Sequence, residues 1–141
     1  MEDSKKVVYL ESFINERLQT DLKFYVEKGD AMYKKANEYL ELLNLLNKFK
    51  NVNAPIKDLE TMYSLGTNVY ATAEIQDLDS IQVDIGSNVY LEMNSKEAMD
   101  FSESYSNSLI SQGDKFREKA IEIRSTMRLL MEGLRKRLSD C

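Results

Sequence analysis

A six-residue phrase occurs twice in the middle of the chain, 20 residues apart. Residues 65–70 read Leu-Gly-Thr-Asn-Val-Tyr, and residues 85–90 read Ile-Gly-Ser-Asn-Val-Tyr. Each copy places a short turn between runs in which apolar and polar residues alternate, which is the pattern of a β-hairpin. Two such hairpins between long helical segments predict an α+β fold and indicate an assembly component rather than an enzyme.

The apolar residues of the second copy predict the length of its turn. Every second residue of 81–85 and of 89–93 is apolar. A two-residue turn would put these two sets on opposite faces, whereas a three-residue loop over 86–88 pairs Ile85 with Val89 and puts both sets on one face. The three-residue loop is therefore expected, with Asn88 in the left-handed conformation. The first copy has the same parity, and Gly66 and Gly86 are expected to tolerate substitution worst.

Four strands from two hairpins would have one apolar face and open edges. Such a sheet is only marginally stable in water until its apolar face is covered and its edges are paired. Strands from other subunits would meet both needs by closing a barrel, so the hairpins are predicted to be the oligomerisation element. The competing interpretation is that the strands pack on the ends of the chain's own helices. The residues assigned to oligomerisation are Tyr63, Leu65, Gly66, Val69, Ile81, Val83, Ile85, Gly86, Val89 and Leu91.

The flanking segments have the heptad pattern of a coiled coil. From Leu22 onward the apolar steps alternate between three and four if Gly29 is one seam position, whereas Leu10 to Leu22 advances by fours. Asn94 and Glu97 form a capping box at the start of the second helix, whose seam is expected to include Gln112.

The predicted organisation is a single domain over 1–141. Its parts are an N-terminal coiled-coil helix over 1–50, two β-hairpins over 51–94, and a C-terminal coiled-coil helix over 95–141. The first helix is expected to end near Lys50, ahead of Pro55. Because the hairpins lie between the helices, the helices must fold back as a long antiparallel two-helix coiled coil. A four-helix bundle formed with a partner is the alternative.

Composition excludes several classes of function. The chain has no His, and its one Cys is Cys141, so imidazole catalysis and an intrachain disulfide are ruled out and a reducing compartment is expected. No apolar run approaches the roughly 20 residues that span a bilayer, and residues 1–6 lack the apolar core of a signal peptide, so we expect no membrane association and a cytoplasmic and nuclear location.

The charge is concentrated in the hairpin region. The net charge of −5 opposes direct nucleic-acid binding. Residues 51–94 hold one basic and seven acidic residues, among them Asp58, which either select a less acidic neighbour or keep the sheet edges soluble. Paired carboxylates such as Asp77 and Asp79 lack an activated nucleophile or a phosphate loop, so we expect no enzyme activity, no cofactor and no metal.

The order of elements resembles an α-class prefoldin subunit over essentially the whole chain. The resemblance is carried by two hairpins with an apolar-Gly-x-x-apolar-aromatic phrase and by the helix start Glu97, Ala98 and Phe101, and the stretches 9–14, 18–22, 39–42 and 130–135 resemble one branch within that class. It implies a hetero-oligomer with β-class prefoldin subunits and a second α-class subunit around a β-barrel. It also implies membership of a prefoldin-like module that joins the R2TP co-chaperone machinery, and a role as a transcription cofactor.

Chaperone function follows from this resemblance as the leading hypothesis. The paired helix ends hold more apolar residues than one two-helix seam can bury, so some are expected to contact unfolded clients without nucleotide. The alternative is that they only close the end of the coiled coil. The candidate client or partner tip consists of Val7, Leu10, Phe13, Ile14, Leu130, Leu134 and Leu138. The second functional hypothesis is a scaffold that docks partners such as transcription factors and has no holdase activity of its own.

Overall fold

The computed structural model describes residues 2–52, 59–77 and 79–139. Pro55, Asp58 and Cys141 lie outside the described residues. The elements follow one another as α1 (Glu2–Ser12), a π-helical segment (Phe13–Leu18), α2 (Gln19–Asn51), β1 (Leu59–Gly66), β2 (Val69–Ile75), β3 (Ile81–Gly86), β4 (Val89–Met93) and α3 (Ser95–Ser139). Residues 1–36 and 107–141 form one compact unit, here the helical unit, and residues 37–106 form a second, here the hairpin unit.

The helical unit is an antiparallel helix pair, as predicted. The ring of Tyr25 lies 6.4 Å from that of Phe116. Eight residues later on α2, the hydroxyl of Tyr33 donates a hydrogen bond to Asp114, which precedes Phe116 on α3. A residue later in α2 therefore contacts a residue earlier in α3, which is the antiparallel arrangement. Apart from one residue on α3, every predicted seam residue other than glycine is buried or half-buried.

Gln112 is the exception, and the prediction that it lies in the seam was wrong. Gln112 is exposed and the neighbouring Gly113 is buried. With Gly113 in the seam, the steps from Leu109 to Phe116 are four and then three, which continues the heptad without interruption. Ser102 and Ser106 are also completely buried in the hairpin unit. An apolar count missed them because they are polar.

The π-helical segment lies where the apolar positions advance by fours. Ile14 and Leu18 belong to this segment, and Ile14 is only 2% exposed. Repeated steps of four would rotate an α-helical stripe away from its partner, because an α-helix has 3.6 residues per turn. Hydrogen bonds from i to i+5 wind more residues into each turn, so Ile14 and Leu18 stay on the buried side.

Both hairpins are antiparallel, and the strand register is the predicted one. Tyr63 lies opposite Ala71 in the first hairpin, and Val83 lies opposite Leu91 in the second. The apolar residues of each hairpin therefore share one face.

The turn itself differs from the predicted three-residue loop. Gly86, not Ile85, pairs with Val89, and the register shifts between Asp84 and Gly86. Ser87 and Asn88 form a two-residue turn with φ of 55° and 58°, while Gly86 has φ of 105°. Both central residues of a type I′ turn require positive φ, so the extra residue is absorbed in a bulge beside the glycine. Asn88 is left-handed, as expected.

Within the described residues, the hairpins form two separate two-stranded sheets, β1–β2 and β3–β4. The expectation of one four-stranded sheet was therefore wrong for the single chain. Tyr39 of α2 donates a hydrogen bond from its hydroxyl to the carbonyl oxygen of Asp84 (2.7 Å), which ties β3 to a helix instead of to β2.

The helix boundaries follow local sequence signals. Helix α2 ends at Asn51, one residue after the predicted end. Before α3, the Asn94 side chain accepts a hydrogen bond from the Glu97 N–H (2.8 Å), and the Glu97 side chain accepts one from the Asn94 N–H (3.0 Å). The predicted capping box is confirmed.

Candidate functional site

The β1–β2 hairpin exposes large side chains on both of its faces. On one face Tyr63 is 64% exposed and Val69 55%, and on the other Met62 is 70% exposed and Tyr70 55%. An isolated two-stranded hairpin is at best marginally stable in water. Aromatic side chains and Met are also the residue types enriched where proteins meet. This hairpin therefore has the composition of an interface surface and is uncovered in the single chain.

The β3–β4 hairpin is packed within its own unit. Val83 is 3% exposed and Met93 8%, although the equivalent face of the first hairpin is open. The hydrogen bond from Tyr39 to the Asp84 carbonyl joins this hairpin to α2. The interpretation that strands pack on the chain's own helices thus describes the second hairpin, and the two copies of the motif have different surroundings.

An aromatic cluster supports this docking. The ring of Tyr39 lies edge-on to Tyr105 at 4.9 Å and to Phe101 at 6.0 Å, and these two rings stack on each other at 5.3 Å. Tyr39 itself is only 7% exposed. Burial, with smaller contributions from Tyr105 and Asp84, raises the pKa of the Tyr39 hydroxyl. The hydroxyl therefore remains a hydrogen-bond donor well above neutral pH.

The two hairpins also share a side-chain hydrogen bond that their sequence similarity does not show. The Asp84 carboxylate accepts a hydrogen bond from the Gly86 N–H (2.8 Å), and the Ser64 hydroxyl accepts one from the Gly66 N–H (3.4 Å). A short oxygen-bearing side chain two residues before the glycine is the signal that could have been found. These bonds hold the bulge that sets the direction of each turn.

The predicted oligomerisation residues divide between the two environments. Those of the first hairpin and Val89 and Leu91 of β4 are exposed, Ile81 and Ile85 are half-buried, and Val83 is buried. Gly66 and Gly86 both have positive φ, and a Cβ at either would meet no atom within 4 Å. Substitution there is strained by backbone conformation rather than by crowding.

The predicted tip residues lie in the helical unit at graded depths. Ile14 and Leu134 are buried at 2% and 8% exposure, whereas Leu138 is 62% exposed. Val7, Leu10, Phe13 and Leu130 are half-buried. Three large exposed side chains were missed because they lie off the heptad seam: Tyr9, Leu129 and Met131. The apolar surface at these helix ends is therefore larger than the seam pattern alone indicates.

The described ranges contain neither a metal-holding cluster of side chains nor a membrane-crossing helix. They hold no group of three or more His, Cys, Asp or Glu side chains arranged to bind a metal ion. None of the helices in these ranges combines the length and apolarity needed to cross a bilayer.

The hairpins between two long helices define a prefoldin-type subunit. The family model described as "Prefoldin subunit" matches residues 18–139, and the chain belongs to this family. It is 29% identical over 133 residues to Protein UXT of Bos taurus, covering 94% of this chain and 84% of the relative. It is 28% identical over 132 residues to Protein UXT of Homo sapiens, covering 94% and 83%.

A solved structure shares the fold. The chain aligns with a chain of filamentous prefoldin from Methanocaldococcus jannaschii, solved by cryo-electron microscopy, with a TM-score of 0.51 and 13% identity. The alignment covers 82% of this chain and 98% of that one. The predicted prefoldin fold and the predicted resemblance within the family are both confirmed.

Proposed function

We propose that the chain is an α-class subunit of a prefoldin-like hetero-oligomer that holds unfolded or assembling proteins without nucleotide and catalyses no reaction. Its partners are β-class prefoldin subunits and a second α-class subunit. The two-sided exposure of the β1–β2 hairpin carries this proposal, because a two-stranded ribbon open on both faces is stabilised when further strands pair with its edges or other elements pack on its faces.

Client binding is assigned to the helix ends. Exposed Leu138 and half-buried Phe13 lie beside the buried seam residues Ile14 and Leu134 in sequence, so the proposed contact surface adjoins a closed coiled coil. One such contact is weak. Several arms that hold one client gain affinity through effective concentration.

The wider setting follows the family resemblance. We include in the proposal a place in the module that joins the R2TP co-chaperone machinery, contacts with transcription factors, and a cytoplasmic and nuclear location. The similarity to relatives named Protein UXT supports this branch of the family.

Assembly is tested by co-expression with β-class subunits and native mass spectrometry. Tyr63→Ser with Val69→Ser should abolish the hetero-oligomer, because both side chains belong to the open face of the first hairpin. Leu45→Ser is the matched control, since Leu45 is similarly exposed (49%) but lies on α2. Normal assembly of the double variant would refute the assigned interface.

Holdase activity is tested on the assembled complex. Phe13→Ser with Leu138→Ser should reduce suppression of client aggregation and leave subunit composition unchanged. Loss of assembly in this variant would contradict the division between tip and hairpins. A wild-type complex that suppresses no aggregation would instead favour the scaffold hypothesis.

A further inference from the structure

One side of the helix pair in the helical unit is a cationic groove. Two adjoining clefts, of about 370 and 440 Å³, share Arg124 in their walls. Their charged lining is four arginines against Asp30 and Glu132, in a chain whose net charge is −5. The groove is therefore positively charged although the chain as a whole is negatively charged.

The groove follows α3 with coiled-coil periodicity. Its exposed wall is formed by Arg117, Ile121, Arg124, Arg128, Met131 and Arg135, which advance by alternate steps of four and three. These positions flank the seam and span about 27 Å at 1.5 Å per residue. A third helix that packed beside the two-helix seam would contact α3 at positions with this spacing.

Three of the four arginines, Arg117, Arg124 and Arg135, have no acidic partner among the described residues. Across residues 2–52, 59–77 and 79–139, Arg128 pairs with Glu132 (3.5 Å), whereas Arg124 and Arg135 form no ion pair. Both are exposed. Arginine binds carboxylates with two parallel hydrogen bonds, so these two side chains are suited to acidic groups from another molecule.

Apolar side chains alternate with the arginines. Ile121 is 52% exposed and Met131 56%. Phosphate backbones gain nothing from such side chains, whereas an amphipathic helix buries apolar residues between its charges. The combination favours a peptide over a nucleic acid.

The opposite side of the helix pair serves as an internal comparison. The cleft there has Lys115 and Lys119 against Glu118 and Glu122, so its charges balance. Lys119 also forms an ion pair with Glu122 (3.1 Å). Within the described residues, the charges that line this cleft balance, whereas those that line the groove leave an excess of positive charge.

We propose that this groove docks an acidic amphipathic helix of a partner protein, with carboxylates on Arg124 and Arg135 and apolar side chains on Ile121 and Met131. The groove belongs to the helical unit, so its occupation can be measured separately from assembly through the hairpins.

The test uses the full chain and a fluorescent synthetic helix of about 18 residues, the length that matches the groove, with Glu and Leu in heptad order. A peptide of the same composition in scrambled order is the ligand control. Fluorescence anisotropy should show salt-sensitive binding of the ordered peptide only. Arg124→Gln with Arg135→Gln should weaken it about tenfold.

Lys115→Gln with Lys119→Gln is the matched control, since it removes the same charge from the opposite cleft and should change affinity less than about twofold. Ile121→Ser with Met131→Ser should also weaken binding. Circular dichroism should show equal helix content in every variant. The proposal is overturned if the ordered peptide does not bind, if both charge variants lose affinity equally, or if duplex RNA binds more tightly and ignores the apolar variant.

Discussion

Alanine at Gly113 should behave differently from alanine at Gly133, although both glycines lie in α3. Replacing a helical glycine with alanine stabilises a helix by about 0.5–1 kcal/mol, because the unfolded chain loses conformational freedom. At Gly133 a Cβ would meet no atom within 4 Å. Gly133→Ala should therefore realise the full gain.

At Gly113 the new Cβ meets an aromatic ring. It would lie 2.9 Å from Cε1 and 3.0 Å from Cζ of Tyr33. Carbon atoms pack best at about 3.5–4.0 Å, so the ring must retreat by roughly 0.5–1 Å. Its hydroxyl is held by Asp114, so this retreat also disturbs a hydrogen bond. Overpacking of this kind costs about 1–3 kcal/mol. Gly113→Ala should be neutral or destabilising by up to about 2 kcal/mol after the helix gain is included.

Urea unfolding of the full chain, followed by far-ultraviolet circular dichroism, measures both variants. A double-mutant cycle with Tyr33→Ala isolates the clash, because Gly113→Ala should become stabilising once the ring is removed. Gly133→Ala should show no coupling to Tyr33→Ala. Equal stabilisation by Gly113→Ala and Gly133→Ala in the wild-type background would refute the close approach of α2 to α3 at this position.

Three further predictions concern the hairpin unit. Tyr39→Phe should cost about 1 kcal/mol, because the Asp84 carbonyl loses its donor, and hydrogen exchange should quicken in β3 but not in β1. Burial raises the pKa of Tyr39 in the folded protein, so the stabilising contribution of its neutral hydroxyl should be complete below the unfolded pKa near 10 and should disappear as pH rises through the folded pKa. Alkaline unfolding of the wild-type protein should show this loss of stability, and Tyr39→Phe should lack it. Asn94→Ala should cost about 1 kcal/mol in urea unfolding, whereas Asn107→Ala, in the interior of α3, should cost almost nothing; equal losses would contradict the cap.

Local sequence signals predicted the elements because their physics acts over a few residues. The capping box at Asn94, the end of α2 near Lys50 and the strand parity on either side of Gly86 depend on neighbours in the chain. The turn was predicted less well. Positive φ at Ser87 is a property of the closed hairpin, since an isolated Ser has no preference for the left-handed region.

Burial was predicted less well where side-chain size mattered more than polarity. Gly113, Ser102 and Ser106 are all buried, Gly113 against the ring of Tyr33 on α2, and an apolar count assigns none of them to a core. Small residues lie where helices approach closely, and that approach depends on the partner helix. The off-seam residues Tyr9 and Leu129 were missed at the tip for the complementary reason, because a seam pattern identifies what is buried rather than what stays exposed.

The sequence by itself determined the order of helices and hairpins, their boundaries, and the family to which the chain belongs. Apolar periodicity and turn chemistry depend on residues that are close together in the chain, so both can be recognised without a structure. Only the tertiary structure distinguished the two copies of the repeated phrase. Their local sequences are nearly the same, but only the second receives a hydrogen bond from Tyr39, which lies 45 residues before Asp84. A contact between such distant residues decides which hairpin is covered and which stays open.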